Sequence, residues 1–195
     1  CIRDRNMIMV GFDGKRFIAE DSRRDQMRDA ILALPKQTAF CIQDDYGQSL
    51  NNVGHQKDNL KGLETGDAWR ADTLEELAKK AGIDPANLVK TIEEYNKGCE
   101  VGQDVGGKKP HNLRKIEKAP FWAGYAGMSV HHTMGGVVIN TDTQVIDRHG
   151  QVIPGLHAVG EVTGGIHGSN RLGGNAIADI FTFGRLTGIA IANGK

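Results

Sequence analysis

The segment from Ala158 to Ala176 holds the densest set of residues that could bind a ligand. Its six glycines surround Glu161 and Arg171, and glycine allows a backbone to approach a ligand closely. The segment leads into a predicted helix, so the N–H groups of Ala176 and Ile177 should be unpaired and carry partial positive charge. Such groups suit an anion, a carbonyl oxygen or a ring nitrogen. The segment lacks the G-x-G-x-x-G pattern, so glycine density alone leaves open a binding loop or a cluster of tight turns.

The composition excludes several classes of protein. The 195 residues include 26 glycines, of which 15 lie in the last 75 residues, and 24 basic residues balance 24 acidic ones. Zero net charge gives no long-range attraction to nucleic acid or anionic lipid, and no apolar run is long enough to span a bilayer. The three cysteines lack C-x-x-C spacing, so neither a disulfide framework nor a metal site is predicted. Because the chain begins with Cys1 and has no signal-peptide pattern, we expect a piece of a longer protein.

Apolar spacing and turn residues predict an α+β domain followed by a βα segment, with a boundary near His132. A capping residue at Thr73 and the pair Asp84-Pro85 mark the starts of two helices. We predict loops over 43–66, with at most one short helix, and over 98–107, and turns at 148–150 and 153–155. The predicted strands and helices are a hairpin over 7–10 and 16–19, a helix over 20–34, a strand over 39–42, the two helices that begin near Thr73 and Pro85, strands over 136–140, 144–147 and 156–159, and a helix over 175–192.

Three motifs together resemble one family. His131–Gly136 (HHTMGG), Val159–Gly165 and His167–Ala176 (HGSNRLGGNA) are similar to the carboxyl-terminal half of the fumarate reductase and succinate dehydrogenase flavoprotein superfamily. The soluble flavocytochrome c type fumarate reductases and the urocanate reductases are the nearest subgroups, and residues 13–25 also resemble them. The resemblance implies an N-terminally incomplete capping (catalytic) α+β domain over 1–131. It also implies that 132–195 form the carboxyl-terminal βα part of an FAD-binding domain.

The chemistry implied by the resemblance is the reduction of an activated carbon–carbon double bond. A hydride leaves N5 of reduced FAD for the β-carbon of an α,β-unsaturated acid, and a proton reaches the α-carbon. By resemblance, Arg171 and His131 hold the substrate carboxylate, Arg24 donates the proton, and Arg3 belongs to a relay that reloads it. From the residues alone, Arg171 could instead form a structural ion pair, and Arg24 could be one of several solvated arginines on a helix face.

Further residues are implied to hold FAD. Glu161 matches a glutamate that binds hydroxyl groups of the cofactor, and a carboxylate offers two acceptor oxygens for that role. His132 either faces the flavin or lies in the core between domains, and His167 is expected to support the loop. The residues expected beside the N1 and O2 edge of the flavin are Gly173, Gly174, Asn175, Ala176 and Ile177.

The implied partners are a small unsaturated mono- or dicarboxylate and an electron donor, either a haem or flavin domain of the parent or a separate protein. Neither nucleic acid nor membrane insertion is expected, and the compartment stays open between cytoplasm and periplasm. Two alternatives remain: a folded, non-catalytic fragment without flavin, and a related FAD oxidase or steroid dehydrogenase. A steroid needs no carboxylate clamp, so Arg24, His131 and Arg171 argue against the steroid branch. The isolated chain is expected to be inactive.

Overall fold

The computed structural model describes residues 6–194, which fall into two compact units, one ending at Met128 and the other beginning at Ser129. Within residues 6–194, the first unit contains four strands and five α-helices, and the second contains three strands and one α-helix. The fold is therefore α+β, as predicted. The relay residue proposed from the sequence, Arg3, lies outside the described residues.

The first unit is built on a four-stranded sheet in the order β1-β2-β4-β3, with every neighbouring pair antiparallel. The strands are β1 (Ile8–Val10), β2 (Ala39–Asp44), β3 (Ala68–Ala71) and β4 (Phe121–Ala126). Ile8 pairs with Ile42, and Ile42 pairs with Ala123 on the other side. Because side chains alternate between the two faces, this register places apolar residues of three strands on one face, where they form the core.

Five helices surround this sheet, and their ends follow from specific capping residues. Thr73 and Asp84 accept hydrogen bonds from Glu76 and Asn87 and start two of the helices, as the sequence predicts. Their inner faces bury Leu77, Leu88 and other core residues. The helices are α1 (Arg24–Leu32), α2 (Asp45–Ser49), α3 (Val53–Thr65), α4 (Leu74–Ala81) and α5 (Pro85–Val101), and short 3₁₀ turns occupy Pro35–Gln37 and Pro110–Asn112.

Several predictions for the first unit are wrong at particular residues. The loop predicted over 43–66 contains α2 and the 13-residue α3, whose mostly exposed residues lack an apolar stripe but whose ends are capped by Asn52 and Gly66. Strand β3 was not predicted, because its four residues are too few to show a periodicity. Residues 98–101, predicted as the start of a loop, instead form the last turn of α5. Gly98 lies close to the carbonyl of Gln103 there.

The predicted hairpin at the amino terminus is also wrong in its second strand. Only one bridge joins Val10 to Arg16, and β1 pairs with β2 instead. The buried Glu20 explains the difference: its carboxylate accepts from the Met9 N–H at 2.9 Å and from Nε and Nη2 of Arg16 at 2.9 and 2.6 Å. Arg16 also donates to Asp104 at 2.7 Å. These bonds hold the chain as an irregular segment, and helix α1 begins at Arg24 rather than at residue 20.

Asp44 joins four parts of the first unit. Its fully buried carboxylate caps α2 through Gly47 N–H at 2.7 Å, accepts from Arg114 Nη2 at 2.8 Å, and accepts from the N–H groups of Glu117 and Lys118 at 3.1 Å each. Burial alone would raise the pKa of Asp44, but the Arg114 guanidinium and the three backbone donors outweigh it and lower that pKa. The charged form is therefore stabilised by folding.

The second unit contains an antiparallel sheet in the order β5-β6-β7 and one long helix. The strands are β5 (Val138–Ile139), β6 (Gln144–Ile146) and β7 (Val152–His157), and the helix is α6 (Asn175–Ala192). The predicted turn at 153–155 is wrong, because these residues lie inside β7. Pro154 is tolerated there because β7 is an edge strand of the described sheet, where a missing N–H removes no necessary ladder bond.

Helix α6 agrees with the prediction and is apolar around most of its circumference. Within the second unit it buries Asp179 and Ala190, whereas Ile177, Phe181 and Ile191 are more than half exposed. The described helices include none that is both long and apolar enough to cross a membrane.

Replacing Asp44 by asparagine should lower the free energy of unfolding by about 3 kcal/mol at pH 7, because Arg114 loses its buried charged partner. The folded-state pKa of Asp44 lies below its unfolded value of about 3.9. The stabilisation is therefore complete above that unfolded value and is lost as the pH falls through the folded one. Urea titrations from pH 7 to pH 3 should show the difference between wild type and Asp44→Asn shrinking below about pH 4.

The matched control is Asp58→Asn, which removes an exposed carboxylate from α3 and should change the free energy of unfolding by less than about 0.5 kcal/mol. If Asp44→Asn lowered the free energy of unfolding by the same amount at every pH, the stabilising role of the charged Asp44 carboxylate would be contradicted.

Candidate functional site

Two glycine-rich segments cross in the second unit at a backbone contact. The N–H of Val137 donates to Val162 O at 2.9 Å, and the N–H of Gly164 donates to Val137 O at 3.0 Å. A Cβ atom on Gly136 would overlap the Val162 carbonyl, and one on Gly164 would lie 2.7 Å from the Gly136 nitrogen. The crossing therefore requires glycine at both positions, and it brings the HHTMGG motif beside the loop that contains Glu161.

Hydrogen bonds from Thr133 join the same two segments a few residues away. Its N–H donates to Glu161 Oε1 at 2.9 Å, and its hydroxyl donates to the Glu161 carbonyl at 3.1 Å. In the described part of the chain the second carboxylate oxygen, Oε2, accepts no hydrogen bond, and the residue is exposed. Glu161 thus has one oxygen committed to the loop and one available for a ligand.

The two adjacent histidines differ in their surroundings. His131 is exposed, whereas the ring of His132 is partly buried, and its Nδ1 accepts from Met134 N–H at 3.2 Å. A neutral imidazole with Nδ1 as acceptor carries its proton on Nε2. That Nε2 is buried and has no hydrogen-bond partner among residues 6–194. Since buried polar atoms are normally paired, His132 offers a donor for a group outside the described residues.

His167 connects the HGSNRLGG loop to helix α6. Its Nε2 lies 3.1 Å from Oδ2 of Asp179, a buried carboxylate in the second turn of α6. The His132 ring packs edge-on against the His167 ring, with the centroids 5.5 Å apart. His132, His167 and Asp179 therefore form one row from the HHTMGG segment to the helix.

Arg171 lies in the loop that His167 begins. Its Nη1 donates to the neighbouring Leu172 carbonyl at 3.0 Å, while its Nε is buried and has no partner in the described part of the chain. No ion pair with a carboxylate of residues 6–194 is formed, so the structural ion pair considered from the sequence is absent there. A guanidinium with unused donors is suited to bind a carboxylate.

The amino terminus of α6 differs in detail from the prediction. The prediction of an unpaired N–H at Ile177 is wrong. This N–H donates to Gly174 O at 2.9 Å in a 3₁₀-type bond. Asn175 donates to Leu172 O at 3.3 Å. Among the described residues, the N–H groups of Gly173, Gly174 and Ala176 have no backbone acceptor. Gly174 has a φ of +88°, a conformation that favours glycine and turns the loop into the helix.

The predicted site residues are divided between the two units. The second unit contains His131, His132, Glu161, Arg171 and the residues 173–177. Arg24 belongs to the first unit, where it is the exposed first residue of α1. Sequence reasoning missed Thr133 and Asp179, although Asp179 stands out as the only acidic residue of a mostly apolar helix.

The comparisons with known proteins agree with these motifs. The sequence pattern of the family described as FAD binding domain matches residues 2–177, which include residues of both units. The chain belongs to this FAD-binding family. A protein of Shewanella frigidimarina named fumarate reductase (cytochrome) is 44% identical over 189 residues, or 96% of this chain. The urocanate reductase of Eggerthella lenta is 36% identical over 189 residues, or 95% of this chain. The resemblance stated from the motifs is thereby confirmed.

The fold of this FAD-binding family member is also similar to that of a solved structure. The open conformation of a flavocytochrome c3 fumarate reductase matches 98% of this chain with a TM-score of 0.75 and 41% sequence identity, and this chain covers 33% of that structure. The chain likewise covers 32% of the Shewanella protein and 31% of the Eggerthella protein. It therefore spans about a third of the length of these relatives.

Adjacent glycines provide a matched test of the backbone crossing. Gly136→Ala should destabilise the second unit by more than about 3 kcal/mol, because its methyl group must displace the Val162 carbonyl. Gly135→Ala should be tolerated, since the nearest atom to its Cβ, the Thr133 carbonyl oxygen, is 4.0 Å away. Thermal unfolding of the full-length protein and the amount of flavin retained after gel filtration measure both variants. Equal behaviour of the two alanine variants would contradict the crossing.

Proposed function

We propose that this chain is part of an FAD-dependent reductase that saturates the carbon–carbon double bond of a small α,β-unsaturated carboxylic acid. The observation that carries the proposal is Arg171, whose guanidinium has unused donors in a loop joined to the histidine motif. Membership of the FAD-binding family supports FAD as the cofactor of the parent protein. Relatives named fumarate reductase and urocanate reductase support the substrate class.

The residues of the second unit fit FAD. The buried, unpaired Nε2 of His132 and the free N–H groups at the start of α6 are donors suited to the polar edge of a flavin. The positive end of the helix dipole stabilises negative charge placed there. The open oxygen of Glu161 can accept from a cofactor hydroxyl group. When bound, FAD supplies the hydride through its N5 atom.

A carboxylate of the substrate is held by Arg171 and His131. Arginine presents parallel N–H groups that match the two oxygens of a carboxylate, and the His131 ring can add another donor. The positive charge of Arg171 also withdraws electrons from the conjugated double bond, which makes the β-carbon a better hydride acceptor. Fixed orientation of the acid brings that carbon into register with the cofactor.

Arg24 is proposed as the proton donor to the α-carbon. Its neighbours Arg23 and Arg28 pair with Asp25 and Asp29, whereas Arg24 forms no ion pair within residues 6–194. It also stands at the first position of α1, where the positive end of the helix dipole disfavours a cation. Its guanidinium is therefore not committed to a carboxylate of the described residues, unlike those of Arg23 and Arg28. Arg3 is proposed to belong to the relay that reloads it.

The domain assignment is part of the same proposal. Residues 1–131 would form the capping domain and residues 132–195 the carboxyl-terminal segment of the FAD-binding domain. The exposed apolar side chains of α6 support this role, because they need a cover that the second unit does not itself supply. An electron donor, either a haem or flavin domain or a separate protein, would reduce the flavin of the parent.

The test uses the full-length protein with its flavin reduced anaerobically. Fumarate, urocanate and acrylate are added separately, and flavin reoxidation is followed by absorbance. One acid should reoxidise the flavin rapidly, and Arg24→Ala should slow that reaction at least about 100-fold, the usual contribution of a proton donor. Arg28→Ala, on the same helix, should leave the rate unchanged.

Two outcomes would contradict the proposal. Failure of every acid to reoxidise the flavin would exclude the substrate class. A normal rate in Arg24→Ala would exclude Arg24 as the proton donor. The binding of the carboxylate by Arg171 is tested separately with Arg171→Lys, which should raise the KM for the acid.

A further inference from the structure

The loop that carries Arg171 has few attachments of its own. Among residues 6–194, the backbone groups of residues 165–171 form no hydrogen bond to a backbone group outside the loop, although Gly168 and Ser169 form a turn within it. The bonded positions on either side are Gly164, tied to Val137, and Leu172, tied to Asn175 at 3.3 Å. Gly165 and Gly168 have φ values of +88° and +59°, so the loop also contains residues with wide conformational freedom. Something other than the backbone must therefore hold Arg171 in place.

One side-chain bond reaches from this loop to a regular element. His167 Nε2 lies 3.1 Å from Oδ2 of Asp179, whose side chain is 3% exposed. An ionised carboxylate accepts the Nε2–H and thereby fixes the orientation of the imidazole. The ring of His132 also packs edge-on against the His167 ring, with the centroids 5.5 Å apart. His167 is thus held between helix α6 and the histidine motif, four residues before Arg171.

We propose that Asp179 and His167 are positioning residues that hold the Arg171 loop in its binding conformation. The part of this proposal that gives Arg171 a substrate rests on the proposed function. The attachment itself does not, because it concerns the geometry of residues 165–173. Oδ2 of Asp179 faces His167, and its buried Oδ1 has no hydrogen-bond partner among residues 6–194; the positioning role rests on Oδ2 alone. Its effect on the reaction is transmitted through His167 and the loop.

The conservative variants separate the hydrogen bond from the volume of the side chain. Asp179→Leu keeps a side chain of similar size but cannot accept from His167, so the loop should become mobile. Asp179→Asn retains an oxygen that can accept the same bond and should restore the wild-type behaviour. Thr187→Val is the matched control on α6, because it removes the hydroxyl that bonds Thr143 at 2.8 Å and has no bond to the Arg171 loop.

Trypsin reports the mobility of this loop directly, because it cleaves after Arg171. With the flavin-loaded, full-length protein, mass spectrometry should show cleavage between Arg171 and Leu172 at least tenfold faster in Asp179→Leu than in wild type. Asp179→Asn and Thr187→Val should be cleaved at the wild-type rate. Should Asp179→Leu fail to fold, His167→Ala removes the same bond and must give the same acceleration.

Steady-state kinetics test the consequence for the substrate. With the acid that reoxidises the wild-type flavin, Asp179→Leu should raise KM about tenfold at unchanged flavin content, while Asp179→Asn restores it. An unchanged cleavage rate overturns the proposal, and so does faster cleavage with an unchanged KM in an active enzyme. If the wild type reduces no acid, the proposed function fails, and the cleavage rates alone decide whether Asp179 and His167 hold the loop.

Discussion

The second unit depends on the approach of two backbones at Gly136 and Gly164. No side chain larger than hydrogen fits at this crossing, because a Cβ on either glycine would meet main-chain atoms of the opposite segment. The two backbone bonds that join Val137 to Val162 and Gly164 fix the register in which the two segments meet. That register decides that Thr133 reaches Glu161 and that His132 reaches His167. The close approach therefore sets the positions of the polar groups proposed to bind a cofactor and a carboxylate.

In the first unit, buried charges beside the apolar core fix the path of the chain between its elements. Glu20 fixes the chain between β1 and α1 through Met9 and Arg16 and so determines where α1 begins. The start of α1 matters because Arg24 is its first residue, without an ion pair in the described part of the chain. Burial lowers the pKa of Lys108, whose ammonium donates to the Met7 carbonyl near the same carboxylate. The proposed proton donor is thus placed by groups that take no part in the chemistry.

The sequence was sufficient where one local signal decides the structure, as at the caps Thr73 and Asp84 and at the apolar helix α6. It was insufficient where the cause lies far along the chain. The bond between Arg16 and Asp104 spans 88 residues, and the exposed helix α3 has no apolar stripe to reveal it. At the site, motif resemblance predicted His131, Glu161 and Arg171 as ligand-binding residues. It could not predict that Ile177 N–H would be paired or that Asp179 would reach His167, because both depend on the path of the loop.

We propose that Arg171 and His131 hold the same substrate carboxylate beside the flavin. A crystal structure of the full-length protein with FAD and a saturated dicarboxylate such as succinate tests it most directly. We expect one carboxylate within about 2.7–3.2 Å of donors from both the Arg171 guanidinium and the His131 ring. A dicarboxylate bound elsewhere, with Arg171 and His131 making no contact to it, would contradict the account.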